Sequence, residues 1–206
     1  MVVLHYTAME TAGAALDRLC DPAAEVSAHY LICEKGQVFA LVPEDRRAWH
    51  AGAGGWGAVR DVNSRSIGIE LANTGTHPFP EPQITTLVAL MRGVMQRWDI
   101  PPERIIGHSD MAPLRKADPG RRFDWGRLAR EGLGVWPKLG RTPGDFLQDA
   151  QVFGYVASGD VGQKAILDAF RQRFRPWAEG PLCDTDRALM ADLAARFPVD
   201  RVGPNA

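Results

Sequence analysis

The chain has 206 residues, of which 45% are hydrophobic and 24% are charged. This is ordinary globular composition and excludes disorder over most of the chain. The formal net charge of −1 lacks the basic bias of a nucleic-acid-binding surface, so we expect no nucleic-acid partner.

The first part of the chain predicts short strands, a helix and a hairpin. Residues 2–6 are β-formers and predict a strand, and residues 9–20 predict a short helix. Residues 27–33 and 37–42 predict a hairpin. The segment AWHAGAGGWG at 48–57 is too rich in glycine for a helix or a strand interior and predicts a loop.

The next elements alternate between strand and helix. Residues 66–72 predict a strand, and residues 103–107 predict a short strand that ends at His108. Residues 83–98 predict a helix that packs on the sheet. Its apolar positions recur at three- and four-residue steps: Ile84, Leu87, Val88, Met91, Val94, Met95 and Trp98. This alternation predicts an α/β fold, a sheet with helices packed on it.

One segment brings together the side chains of a metal site. Residues 107–120 read GHSDMAPLRKADPG, in which His108 and Asp118 are ten positions apart. The prolines and the final glycine predict a folded-back, non-helical path that could bring the two side chains to one point. Imidazole and carboxylate ligands suit zinc. His5, near the end of the first strand, is the best candidate for a third ligand.

The strand SIGIEL at 66–71 carries a carboxylate on its more polar face. Ile67, Ile69 and Leu71 share one face, whereas Glu70 shares the other with a serine and a glycine. A carboxylate between small neighbours suits a pocket wall better than a packed core.

Four segments together resemble a known enzyme family. They read VVLHYT, EVSAHYLICEKGQVFALVPEDRRAWHAG, NSRSIGIELAN and GHSDMAPLRKADPG, and they fall within residues 1–136. The chain resembles the zinc-dependent N-acetylmuramoyl-L-alanine amidases that share their fold, a central mixed β-sheet flanked by helices, with peptidoglycan recognition proteins. The resemblance implies one Zn²⁺ per chain, held by His5, His108 and Asp118. It implies Glu70 as the general base and Lys116 as the residue that stabilises the oxyanion.

The C-terminal part differs in character. Residues 137–143 contain two prolines and a glycine and predict a linker, and residues 144–206 contain three helical patterns. These patterns resemble the small three-helix peptidoglycan-binding-like domain found beside some amidases. We therefore predict a catalytic domain at 1–136 and a small helical domain at 144–206.

The resemblance implies hydrolysis of the amide bond between N-acetylmuramic acid, in its 1,6-anhydro form, and L-alanine of muropeptides, in cell-wall recycling. One alternative is an envelope amidase that acts on intact peptidoglycan. A second is a peptidoglycan-binding protein without activity, although the ligands and both catalytic candidates are all present. A third, an unrelated zinc peptidase, would normally carry a motif such as HExxH, which the sequence lacks.

Substrate contacts are predicted in the glycine-rich loop and just before it. His50 could line the substrate groove, and Trp49 could stack on a sugar or close a hydrophobic core. Arg47 could pair with a peptide carboxylate or belong to a solvated run of charges. For His29, a packed or supporting role is favoured over metal ligation.

The expected location follows from two features of the sequence. No apolar run approaches the ~20 residues of a membrane span, so we expect no membrane insertion. The first predicted strand begins at Met1 and leaves no room for a signal peptide. We therefore expect a cytoplasmic monomer with a muropeptide or peptidoglycan substrate, or a periplasmic protein if a leader has been removed.

Overall fold

A mixed five-stranded sheet forms the centre of the computed structural model, which describes residues 1–157 and 159–200. The strand order is β3-β2-β4-β1-β5. Strand β3 is antiparallel to β2, and the other neighbouring pairs are parallel, which confirms the predicted mixed sheet. The strands are β1 (Val2–Tyr6), β2 (Tyr30–Ile32), β3 (Val38–Ala40), β4 (Ile67–Leu71) and β5 (Ile105–Gly107).

Helices pack around this sheet in the described ranges. Short 3-10 turns also occur at Pro22–Ala24 and Pro102–Arg104. The α-helices are α1 (Ala12–Cys20), α2 (Glu81–Trp98), α3 (His108–Met111), α4 (Trp125–Arg130), α5 (Phe146–Phe153), α6 (Gly159–Phe174) and α7 (Asp184–Arg196). None of the helices in the described ranges has the length and apolar character needed to cross a membrane.

The register of β1 and β4 positions the candidate site. His5 is the partner of Glu70 across the two parallel strands, so their side chains leave the same face of the sheet. The neighbouring residues Leu4 and Ile69 point the other way, into the core beneath α2. The alternation predicted for β4 is therefore confirmed.

Helix α2 covers one face of the sheet, as predicted, but its end differs. Ile84, Leu87 and Met91 are buried against the strands. The prediction that Trp98 joins this packed face was wrong. Trp98 is 47% exposed, because its indole Nε1 donates to Glu44 Oε2 at 2.5 Å at the end of the helix instead of packing on the strands.

Two further boundaries differ from prediction for local reasons. Helix α1 starts at Ala12 because the Thr11 side chain caps it, accepting from the Ala14 amide at 3.1 Å. His108 was predicted to start a non-helical segment, which was wrong. It is the first residue of the four-residue helix α3, whose first turn is closed by the Asp110 side chain accepting from the Gly107 amide.

The three C-terminal helices cover the other face of the sheet. Helices α5, α6 and α7 confirm the three helical patterns predicted after residue 143. One buried cluster joins Val3 and Ile106 of the sheet to Phe146 and Phe170 of these helices. Trp56 lies in this cluster, edge-on to Phe153 at 5.3 Å and to Tyr155 at 5.1 Å between ring centroids. The N-terminal and C-terminal segments therefore share one hydrophobic core.

This shared core gives a stability prediction for Trp56. Trp56→Ala should lower the free energy of unfolding by about 3–5 kcal/mol, since it leaves a cavity between the sheet and α5. Trp177, which is 73% exposed, provides the control, and Trp177→Ala should change stability by less than about 0.5 kcal/mol. Urea unfolding followed by circular dichroism measures both. Equal effects of the two substitutions would contradict the packing described here.

Candidate metal centre

Three buried side chains converge where strands β1 and β5 end. His5 comes from β1, and His108 directly follows the neighbouring strand β5. Asp118 returns to them because its carbonyl accepts from the Ser109 amide at 2.9 Å. His5 Nδ1 lies 2.9 Å from His108 Nδ1 and 2.9 Å from Asp118 Oδ2, and the His108 Nδ1 to Asp118 Oδ2 distance is 3.1 Å. The predicted ligands thus form one compact triad.

A chain of hydrogen bonds fixes which nitrogen of His5 carries the proton. Ser66 Oγ must donate to the Val62 carbonyl, 2.5 Å away, because a carbonyl only accepts. His50 Nε2, 3.2 Å from Ser66 Oγ, therefore donates to that oxygen. Neutral His50 then has its lone pair on Nδ1, which accepts from His5 Nε2 at 3.0 Å. The remaining nitrogen of His5, Nδ1, carries a lone pair toward the triad.

The same reasoning holds for His108. Its Nε2 lies 2.8 Å from the Ala51 carbonyl and must donate to it. Its Nδ1 therefore also carries a lone pair. Two imidazole lone pairs and a carboxylate oxygen then face one another within hydrogen-bond distance without a proton to share. This donor set fits a cation, and two nitrogens with one carboxylate oxygen suit zinc with a further position open.

The charge states of the triad agree with this arrangement. Burial, with a smaller contribution from the neighbouring His108, lowers the pKa of His5 to about 4, so His5 is neutral near neutral pH. Burial also holds the pKa of His50 well below its usual value. For Asp118, burial opposes ionisation, but the influence of the neighbouring His108 and His5 outweighs it and lowers the pKa. Neutral imidazoles and an ionised carboxylate are the forms that bind metals.

Glu70 lies beside the triad with an unsatisfied oxygen. Its Oε2 is buried and has no hydrogen-bond partner among the described residues. Burial, followed by the charge of Asp118, raises the pKa of Glu70 to about 8. A buried polar atom without a partner is costly, so its retention next to an open cavity indicates a functional role.

A cavity of about 620 Å³ opens over these residues. Its lining includes the triad, Glu70 and Lys116. Lys116 is exposed, and its charge adds slightly to the fall in the pKa of His5 and opposes part of the rise in the pKa of Glu70. A cation, a carboxylate and a metal-binding triad thus share one cavity.

The three predicted substrate contacts lie in different surroundings. His50 lines the cavity and also supports His5, whereas Trp49 stands at the rim with more than half of its surface exposed. Arg47 lies outside the residues that line this cavity. Its guanidinium covers the Trp49 ring at 4.3 Å, and its Nη1 pairs with Asp61 Oδ2 at 2.7 Å.

Two residues that support the site, Arg115 and Asn63, were not predicted from the sequence. Arg115 Nη2 donates to the carbonyls of Ala51 and Ala53 at 2.7 and 2.6 Å, which fixes the loop that holds His108. Asn63 Oδ1 accepts from the amides of His50 and Ala51. These contacts join residues far apart in the chain, so local spacing gave no signal for them.

Gly68 makes room for the His50 ring. A Cβ atom at Gly68 would lie 2.3 Å from His50 Cγ, closer than real atoms approach. The Gly68 amide also donates to His29 Nδ1 at 2.9 Å, while His29 Nε2 donates to the Arg46 carbonyl. Both ring nitrogens of His29 are thus engaged, which agrees with the supporting role predicted for it.

Comparison with known proteins identifies the family. The family model for N-acetylmuramoyl-L-alanine amidase matches residues 1–121. The amidase AmiD of Escherichia coli K12 is 33% identical over 225 residues, covering 93% of this chain and 80% of AmiD. The 1,6-anhydro-N-acetylmuramyl-L-alanine amidase AmpD of Enterobacter cloacae is 45% identical over 103 residues, covering 50% of this chain and 55% of AmpD.

Solved structures extend the match to the whole fold. The complex of E. coli AmiD with anhydro-N-acetylmuramic acid-L-Ala-D-γ-Glu-L-Lys has a TM-score of 0.88 at 33% identity, covering 97% of this chain and 90% of that one. AmpDh3 of Pseudomonas aeruginosa, in complex with anhydromuramic pentapeptide, has a TM-score of 0.87 at 32% identity, covering 96% and 92%. Fold and site define an amidase. The chain belongs to the N-acetylmuramoyl-L-alanine amidase family.

The hydrogen bond from His5 to His50 gives a prediction about metal affinity. His50→Ala removes the acceptor that orients His5 and should weaken zinc binding about 10- to 100-fold, the usual effect of losing an outer partner of a metal ligand. His50→Gln, which can still accept from His5, should recover part of the affinity. Competition with a chromophoric chelator measures both.

His77→Ala is the control, because His77 is exposed and lies outside the triad and its supports. It should leave zinc affinity unchanged. Wild-type affinity in the His50→Ala protein would show that His5 needs no such orientation.

Proposed function

We propose that this protein is a zinc-dependent amidase that cleaves the bond between 1,6-anhydro-N-acetylmuramic acid and L-alanine in muropeptides. The observation that carries the proposal is the convergence of three lone pairs, from His5, His108 and Asp118, beside the unpaired oxygen of Glu70. The names of the related AmpD enzymes, and the anhydro-muramyl peptides bound by AmiD and AmpDh3, support the substrate class.

His5, His108 and Asp118 would hold one zinc ion per chain. Bound there, zinc supplies Lewis-acid chemistry, which polarises a carbonyl and acidifies water. The supporting hydrogen bonds from Ala51 and His50 keep both imidazole rings in the orientation that this requires.

Glu70 would act as the general base and then as the general acid. It takes a proton from the attacking water and returns it to the nitrogen of the leaving L-alanine as the C–N bond breaks. A carboxylate with a raised pKa can perform both transfers near neutral pH. Its side chain stands next to His5 across the strand pair, within the cavity that would receive the scissile bond.

Lys116 would stabilise the oxyanion that develops on the scissile carbonyl. Lys116 lines the cavity, and its charge already offsets part of the rise in the pKa of Glu70. A compact cation placed where negative charge develops lowers the barrier more than it strengthens binding of the neutral substrate.

Cell-wall recycling is the role we propose, in a cytoplasmic monomer, because the related enzymes include those named for anhydro-muropeptides. An envelope amidase acting on intact peptidoglycan, in the periplasm, is the alternative. It would use the helices after residue 143 as the peptidoglycan-binding domain that their sequence resembles. Catalytic domain 1–136, linker 137–143 and helical domain 144–206 remain the proposed division.

The substrate is tested by incubating the zinc-loaded protein with an anhydro-muropeptide and, separately, with purified sacculi. Mass spectrometry detects the released peptide. We expect release from the soluble anhydro-muropeptide, loss of release after chelation, and recovery when zinc is added back. A strong preference for sacculi would support the envelope alternative. No release from either substrate would refute the amidase mechanism.

Glu70→Gln tests the general base. The substitution keeps the size of the side chain but removes its ability to accept a proton, so turnover should fall about 10²- to 10⁴-fold. Zinc content should stay at one ion per chain. Glu34→Gln, an exposed residue of the β2–β3 turn, is the control and should retain normal turnover. Near-normal turnover of the Glu70 variant would exclude its role.

Lys116→Ala tests the proposed oxyanion stabiliser. Removal of the ammonium group should lower kcat strongly, roughly 10²-fold or more, and leave zinc bound. Lys35→Ala, which removes an exposed lysine from the same turn as Glu34, should change neither quantity. A rise in KM with normal kcat would instead assign Lys116 to substrate binding.

A further inference from the structure

A buried polar network links helix α6 to the segment that carries His108. Asp110 Oδ2 accepts from Arg173 Nη1 at 2.8 Å and from the Gly107 amide at 2.8 Å. Asp110 Oδ1 accepts from the Tyr155 hydroxyl at 2.7 Å. All three side chains of this network, Asp110, Tyr155 and Arg173, are at most 3% exposed.

Arg173 holds the chain on both sides of His108. Its Nη1 binds Asp110, two residues after His108, and its Nη2 donates to the Ile105 carbonyl, three residues before it, at 2.8 Å. The His108 ring is anchored separately, through Nε2 and the Ala51 carbonyl. The guanidinium group therefore fixes the turn from β5 into α3, and the ring is fixed by the glycine-rich loop.

Aromatic packing keeps Arg173 in this position. Its guanidinium carbon lies 4.4 Å from the ring centroid of Trp125 and 4.9 Å from that of Phe174. Taking a guanidinium out of water is expensive, and hydrophobic replacements of buried ion pairs often stabilise proteins. The stability of the fold therefore does not explain why an arginine is buried here. Its hydrogen bonds on both sides of His108 explain it directly, because they position a metal ligand.

We propose that Arg173 is a positioning residue for the metal ligand His108, so that the C-terminal helices form part of the framework of the metal centre. The proposal rests on the proposed function, because it treats His108 as a zinc ligand. It adds a role for α6 that is independent of any contact between these helices and peptidoglycan.

Arg171 offers a matched control on the same helix. It forms an equally buried ion pair, with Arg171 Nη2 at 2.5 Å from Asp186 Oδ2, and it too is 3% exposed. That pair lies within the C-terminal helices, and the side-chain hydrogen bonds of Arg171 in the described part of the chain go to Asp186, Gly180 and Pro181 and not to α3. Arg173→Met and Arg171→Met therefore each remove a buried pair, and only the first removes the support of His108.

The test measures zinc affinity by chelator competition and the visible spectrum of the Co²⁺-loaded protein. We expect Arg173→Met to weaken zinc binding about tenfold, the lower end of the effect of losing a supporting partner, and to shift the Co²⁺ absorption bands. Arg171→Met should change affinity by less than twofold and leave the bands in place. Circular dichroism checks that both proteins are folded.

Tyr155→Phe gives a second variant in case Arg173→Met does not fold. It keeps the ring that packs on Trp56 and removes only the hydroxyl that binds Asp110. We expect it to weaken zinc binding several-fold. Wild-type affinity and spectrum in folded Arg173→Met, or in Tyr155→Phe if the first is unfolded, would overturn the proposal. Equal losses in the Arg171 and Arg173 variants would overturn it as well.

These outcomes are separable from those of the proposed function. A wild-type protein that binds zinc but cleaves no muropeptide would refute the function and leave the affinity comparison intact. If the wild-type enzyme cleaves muropeptides but Arg173→Met binds zinc with wild-type affinity, only the positioning role is refuted. A wild-type protein without zinc affinity would refute both.

Discussion

Mutual repulsion among three electron pairs is the constraint on which the rest of the site depends. His5, His108 and Asp118 point lone pairs at one another inside the protein, at separations of 2.9 to 3.1 Å. Polar groups that repel one another in this way lie close together only where a scaffold holds them in place. The scaffold consists of parallel strand ends, a helical turn and hydrogen bonds at the outer nitrogens of both rings.

The sequence was sufficient to predict the parts of the fold that repeat locally. Alternation in β4 placed Glu70 opposite the isoleucines, and the three- and four-residue period of α2 identified the face that covers the sheet. Two ligand candidates, His108 and Asp118, came from a segment rich in prolines, and His5 came from the end of the first strand. The resemblance supplied their roles. The structure brings His5, His108 and Asp118 into one triad, as that reasoning required.

What the sequence could not predict depends on contacts across long separations. The relay from Val62 through Ser66 and His50 to His5 spans three segments, and no spacing rule connects them. Trp98 follows the period of its helix, yet its indole donates a hydrogen bond to Glu44, which lies 54 positions earlier in the sequence. The four-residue helix at His108 is too short to show a period.

The shared core limits how far the chain can be shortened from its C-terminal side. The family model ends at residue 121, yet the face of the sheet that carries Val3 and Ile106 is covered by α5, α6 and α7. A fragment that ends before these helices would expose Val3, Trp56 and Ile106 to water, and this exposed apolar surface would favour aggregation. The matched region therefore lacks the helices that cover this face of its sheet.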